Sequence, residues 1–180
     1  MVALATEVRF ALALNGGVSL AVWIGGLSDE LLRLTNAGRR QAGASPEWVA
    51  LCEELDVVPI VDVIAGTSAG GLNGAFLAAA IVNGAHDLDA TRDLWIEAGA
   101  FSDLLRAPVD SDLPSLLRGD DFFLPRLEEA IAAIAKGGDG VRDLDPPIDV
   151  CLTATAMHGR HLSVADGAAS IDSVDHRVEL

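Results

Sequence analysis

Gly66-Thr67-Ser68-Ala69-Gly70-Gly71 is the stretch on which the reading of this chain turns. It satisfies Gly-x-Ser-x-Gly, and its flanks suit a nucleophile elbow. Before it runs Val57-Val58-Pro59-Ile60-Val61-Asp62-Val63-Ile64-Ala65, a β-branched apolar run that reads as a buried parallel strand. After it, Leu72 to Asn83 is rich in Ala and Leu, and Gly84 is placed to cap a helix. So tight a strand-to-helix turn leaves no room for side chains on either side of the serine, which calls for glycine or alanine, as at Gly66, Ala69 and Gly70; Thr67 completes the motif before Ser68. Such a turn pushes Oγ out at the carboxyl end of the sheet. The helix beneath offers unpaired N–H groups, Ala69's among them, to a developing oxyanion. The competing reading is a turn whose serine only caps the helix.

A second glycine site lies upstream. Val8 to Leu14 reads as the first strand, Asn15-Gly16-Gly17-Val18-Ser19 as a loop, and about Leu20 to Ala37 as an apolar helix ending at Gly38. Adjacent glycines between strand and helix bring bare backbone N–H groups close to a ligand. Acyl transfer needs such donors where a carbonyl oxygen becomes negative. A nucleotide loop is the other use of such glycines, but Gly-x-Gly-x-x-Gly is not satisfied and no P-loop Gly-Lys-Ser/Thr occurs.

Together the two sites resemble the patatin-like phospholipase family, over roughly residues 8 to 165. Gly66 to Gly71 match its elbow, and Gly16 and Gly17 match two positions of its glycine-rich oxyanion loop. Asn15, Ser19 and Leu20 stand where that loop has glycine, a basic residue and glycine. The missing cation weakens anionic head-group recognition there, whereas the backbone donors do not depend on it. The resemblance implies a Ser–Asp dyad without histidine, with Ser68 as nucleophile. It also implies lipid carboxylic esters as substrates and no metal or organic cofactor. Asp166-Gly167-Ala168 spells the family's aspartate motif, so Asp166 is a dyad candidate. Its separation from Ser68 is shorter than the family's, however. No Ala/Ser/Pro-rich segment follows the strand-like Ile148 to Ala156. His161 to Val164 and Arg177 to Leu180 read as a hairpin, with Asp166-Gly167 a turn. The expectation is therefore an incomplete domain spanning residues 1–180, its catalytic aspartate beyond Leu180.

The rest of the chain fits an α/β architecture with a mostly parallel sheet flanked by helices. Ser45-Pro46 starts a helix to about Leu55. Leu88 to Ala98 and Pro125 to Lys136 read as helices, the latter ended by Gly137-Gly138. Gly70, Gly71, Gly74, Ala75 and Ala78 share a face that can approach a sheet. Residues 99–124, with Pro108, Pro114 and Gly119, suggest a loop-rich cap over the site. Trp23, Trp48 and Trp95 fall in helical patterns and are assigned to core packing.

Composition narrows the partners. The chain carries 12 Lys+Arg against 27 Asp+Glu, a net charge of −15, which repels nucleic acid and strongly anionic membranes. Peripheral membrane contact is left to a local apolar face. Asp103, Asp110, Asp112, Asp120 and Asp121 fit no calcium loop and read as a solvated face. His86, His158, His161 and His176 lack zinc spacing with cysteine, so no metal is expected. Cys52 and Cys151 are too few for a disulfide framework and read as buried thiols, in keeping with a cytoplasmic protein. Residues 10 to 27 are apolar enough to imitate a membrane span, but the Asn15-Gly16-Gly17 interruption favours strand, loop and helix.

The functional expectation is a serine acyl hydrolase, with Gly16, Gly17 and Ala69 as oxyanion donors. Two alternatives remain. One is a Ser–His–Asp esterase using His158, His161 or His176 as base. The other is an inactive lipid-binding or interaction module that kept the elbow.

Overall fold

The strand, loop and helix that carry each glycine site meet at one end of a single sheet. The computed structural model describes residues 5–98, 100–107, 115–140, 146–167 and 169–180. Strand β1 (Thr6–Leu14) and strand β2 (Val57–Thr67) run in parallel, with Leu14 opposite Gly66. Strand β3 (Asp149–Asp166) adds in parallel to β2, with Thr153 opposite Thr67, and strand β4 (Ala169–Glu179) returns antiparallel to β3. The order is β1-β2-β3-β4. The α/β class is as expected. The sheet is mixed: its parallel pairs hold the glycine sites, and an antiparallel hairpin extends it.

Helix α1 (Ala21–Arg39) and helix α2 (Pro46–Leu55) connect β1 to β2. Helix α3 (Ala69–Asn83) leaves β2 directly, and helices α4 (Asp89–Ala98), α5 (Phe101–Leu104) and α6 (Leu124–Lys136) follow before β3. Leu32 of α1, Val61 and Ile64 of β2, and Phe76, Leu77 and Ile81 of α3 form the buried core, closed by Leu94 and Ile134. The small-residue face of α3 does approach the sheet. A Cβ on Gly74 would lie 2.6 Å from Ile64 Cγ2, and one on Gly71 3.3 Å from the Gly66 carbonyl oxygen.

Local signals held in several places. Ser45 Oγ accepts the Trp48 N–H at 3.4 Å, with Pro46 in the first turn of α2. Gly84 closes α3 at φ 63. Elsewhere the structure corrects the sequence reading. Helix α1 runs past Gly38 and ends at Arg40, which is itself left-handed at φ 53. Gly38 serves close approach, because a Cβ there would run into Pro59 of β2. Within the expected loop-rich cap, α5 and a π-helical turn at Gly119–Phe123 are regular. Pro108, Asp110, Asp112, Pro114 and Ala168 lie outside the described residues. Strand β3 is longer than expected: it continues through a register shift between Thr155 and Arg160 into the hairpin.

Two burial expectations fail. Cys52 is buried, and burial pushes its thiol pKa up, but Cys151 is exposed. Cys151 pairs with Ala65, on the face of β2 where Val63 and Thr67 are exposed too. That face points away from α3. Trp23 is not core: it is 66% exposed near the start of α1.

Candidate functional site

Ser68 sits where β2 becomes α3, at φ 52 and ψ −126. A β-carbon residue there stores strain of about 1–3 kcal/mol and persists only when its surroundings impose it. They do. A Cβ on Gly66 would lie 2.6 Å from Gly71 Cα, and one on Gly70 would collide with the carbonyl oxygens of Leu14 and Asn15. The turn is thus clamped against the end of β1. Ser68 makes no side-chain cap of α3, which removes the capping alternative. Its carbonyl instead accepts the Leu72 N–H at 3.0 Å. Thr153 Oγ1 donates to Thr67 Oγ1 at 2.6 Å and ties the turn to β3.

The upstream glycine loop lies against this serine. A Cβ on Gly16 would come within 2.9 Å of Ser68 Cβ and 3.1 Å of the Thr67 carbonyl oxygen. Because β1 and β2 are parallel neighbours, both loops leave the same end of the sheet. Gly17 holds φ 149, a conformation that suits glycine, and its carbonyl accepts the Leu20 N–H at 3.0 Å. That bond closes a 3-10 turn at Val18–Leu20 leading into α1. Gly16, Gly17, Ser68 and Ala69 are therefore gathered at one point. The hydroxyl thus lies beside the glycine loop and at the start of a helix whose first N–H groups lack intrahelical partners, an arrangement able to attack a carbonyl carbon and hold its oxygen.

A cavity of about 420 Å³ opens over Ser68. Its walls are mainly apolar: Val18 from the 3-10 turn, Val22 from the start of α1, Leu72 from α3, Trp95 from α4, and Leu104 and Phe123 beyond. The Trp95 and Phe123 rings lie 6.3 Å apart, and Gly119 of the π-helical turn completes this side. The cap is braced by Asp121, which accepts Arg118 Nε at 3.1 Å and an Arg106 guanidinium nitrogen at 3.0 Å.

The other candidates lie elsewhere. Asp166 ends β3 and pairs with Ala169 across Gly167, which turns at φ 62. From Thr153, beside the elbow, the path along β3 to Asp166 is roughly 40 Å at the usual strand rise. His158, His161 and His176 are exposed on the same hairpin and do not line the cavity. His176 Nδ1 is 2.8 Å from the Ala156 carbonyl oxygen. Among the described residues, no side chain hydrogen-bonds to Ser68 Oγ, and no His/Cys/Asp/Glu group has the geometry to hold a metal.

Sequence reasoning missed Asn73. It is buried in the second turn of α3 and hydrogen-bonds to groups on both sides of the site. The available signal was an Asn inside an Ala-rich helix, where its propensity is poor.

Comparison with known proteins agrees with this geometry. The family model described as patatin-like phospholipase matches residues 12–145. The chain is 40% identical over 151 residues to the "Uncharacterized membrane protein Rv3479" of Mycobacterium tuberculosis (strain ATCC 25618 / H37Rv). That match covers 75% of this chain and 14% of the relative. No helix among the described residues is long and apolar enough to cross a membrane. No solved structure matches the chain. With its elbow and glycine loop inside a family match over residues 12–145, the chain belongs to the patatin-like phospholipase family.

Proposed function

We propose that this domain hydrolyses lipid carboxylic esters, with Ser68 as nucleophile. The observation that carries the reading is the strained Ser68 backbone, at φ 52, beside Gly16 and under an apolar cavity. Ser68 Oγ attacks the acyl carbonyl. The N–H groups of Gly16, Gly17 and Ala69 receive the oxygen as it becomes negative, and each such donor is worth about 10²–10³ in rate. The cavity takes the acyl chain, since its lining is mostly aliphatic and aromatic. An aspartate of a Ser–Asp dyad takes the serine proton, with no metal or cofactor. A lipid surface is met through Val18 of the cavity lining and through Leu116 and Trp23, the chain neighbours of the lining residues Leu117 and Val22; the three are 75%, 70% and 66% exposed. At a net charge of −15, that surface is neutral or zwitterionic. We place the domain in the cytoplasm, in keeping with its free Cys52 and Cys151.

The test is p-nitrophenyl ester turnover together with fluorophosphonate labelling. Ser68 should carry the label, and Ser68→Ala should lower turnover by about 10⁴ or more with the fold intact. Unchanged turnover in Ser68→Ala removes the proposal. Asp166→Asn decides the base: loss of turnover assigns it to Asp166, and wild-type turnover places it elsewhere. A chain that binds alkyl ligands in the cavity but never labels at Ser68 is a lipid-binding module.

A further inference from the structure

Asn73 is 1% exposed, and all three capacities of its side-chain amide that the structure uses point at the site's framework. Its Nδ2 donates at 3.0 Å to the Ala21 carbonyl, at the start of α1 just after the glycine loop. The same nitrogen donates at 3.0 Å to the Ala69 carbonyl, the first residue after the serine. Its Oδ1 accepts the Trp95 Nε1–H at 2.9 Å. The amide orientation is fixed by chemistry, because two carbonyls need donors and an indole needs an acceptor. Helix α1 packs directly on the group: a Cβ on Gly25 would be in ordinary van der Waals contact, 3.4 Å from Asn73 Oδ1 and 3.5 Å from Trp95 Cδ1.

We infer that Asn73 is a positioning residue that holds the glycine loop, the nucleophile turn and the Trp95 wall of the cavity at one spacing. This rests on the proposed esterase reading for its catalytic consequence, but not for its effect on the cavity. Ala21 lies just after the glycine loop and Ala69 just after Ser68, so the two bonds join the segments that carry the proposed oxyanion donors and the hydroxyl. A link between their carbonyls fixes the distance between those donors and the hydroxyl. Small displacements of reacting groups cost large rate factors, on the order of 10² for 1 Å. The third bond sets the Trp95 ring, so the acyl cavity keeps its width where it meets the serine.

The experiment uses the full chain carrying Trp23→Phe and Trp48→Phe, which leaves Trp95 as its sole tryptophan. Binding of 11-bromo-1-undecanol is read as quenching of Trp95, and Ser68 labelling as the rate with a fluorophosphonate. Asn73→Leu keeps the size but none of the three bonds. It should weaken alkanol binding and slow labelling, each by about tenfold, with an unchanged circular dichroism spectrum. Asn73→Ser, too short to reach across, should act in the same direction. Trp95→Phe, made in the otherwise native chain, removes the indole N–H together with part of the ring but leaves both carbonyl links, and should slow labelling less than Asn73→Leu does. Folded Asn73 variants that bind and label like the parent would overturn the inference. So would loss of the fold in both, which would make the amide a folding determinant only. If the parent binds the alkanol but does not label, the esterase reading fails, and the quenching comparison still decides the role of Asn73.

Discussion

At Ser68, the reactivity proposed above and stability pull against each other. The serine holds φ 52 and ψ −126, a backbone state that glycine adopts far more readily. Ser68→Gly should therefore be inactive yet more stable than Ser68→Ala, by about 1 kcal/mol, as read from urea denaturation midpoints. Equal midpoints would mean that the turn is not strained. The requirement for small neighbours was legible in the sequence because the elbow is built from contiguous residues. The partners of Gly70 were not, since Leu14 and Asn15 belong to another strand end. The partners of Asn73 were hidden for the same reason: Ala21 and Trp95 lie 52 and 22 residues away.

Among the elements, the π-helical turn at Gly119–Phe123 lines the cavity with both of its end residues. Its Asp121 carboxyl is held below the ordinary carboxylate range, first by the Arg118 hydrogen bond and also by the charge of Arg106. A carboxyl whose pKa is lower folded than unfolded favours the folded cap above the unfolded value. That preference is lost as pH falls through the lowered one. The Asp121 titration, followed by NMR, should thus have its midpoint below about 3.9. Amide exchange across 115–123, corrected for intrinsic rate, should rise only beneath that midpoint, and Asp121→Asn should abolish the step. A midpoint at or above the ordinary value would show that the arginines do not hold this carboxyl. The sequence marked helix starts at Ser45-Pro46 and a stop at Gly84, where the chemistry is local. It misplaced the end of α1, because Gly38 answers to Pro59 across space rather than to its own helix.

Across the whole molecule, strand and helix order were readable from alternating apolar runs, and so was the shared sheet end that unites the two glycine sites. Exposure was less readable. Cys151 and Trp23 look like core residues by type, but one lies on the open sheet face and the other is exposed near the start of α1. Residue type gives the tendency to be buried, and only tertiary placement decides what covers it. The parallel register that sets Leu14 opposite Gly66 has a consequence for the order of folding. A parallel pair cannot close as a hairpin; it waits for the whole crossover through α1 and α2. Until the end of β1 arrives, nothing forces Ser68 into its unusual dihedrals, so a nascent chain carries an ordinary, sluggish hydroxyl. On dilution from urea, helical circular dichroism should recover first and fluorophosphonate reactivity at Ser68 later, with the slowest phase. Simultaneous recovery would show that the turn assembles locally. If the lag is found, the chain is harmless to lipid until its architecture is finished, and the appearance of nucleophilicity becomes a clock for completed folding.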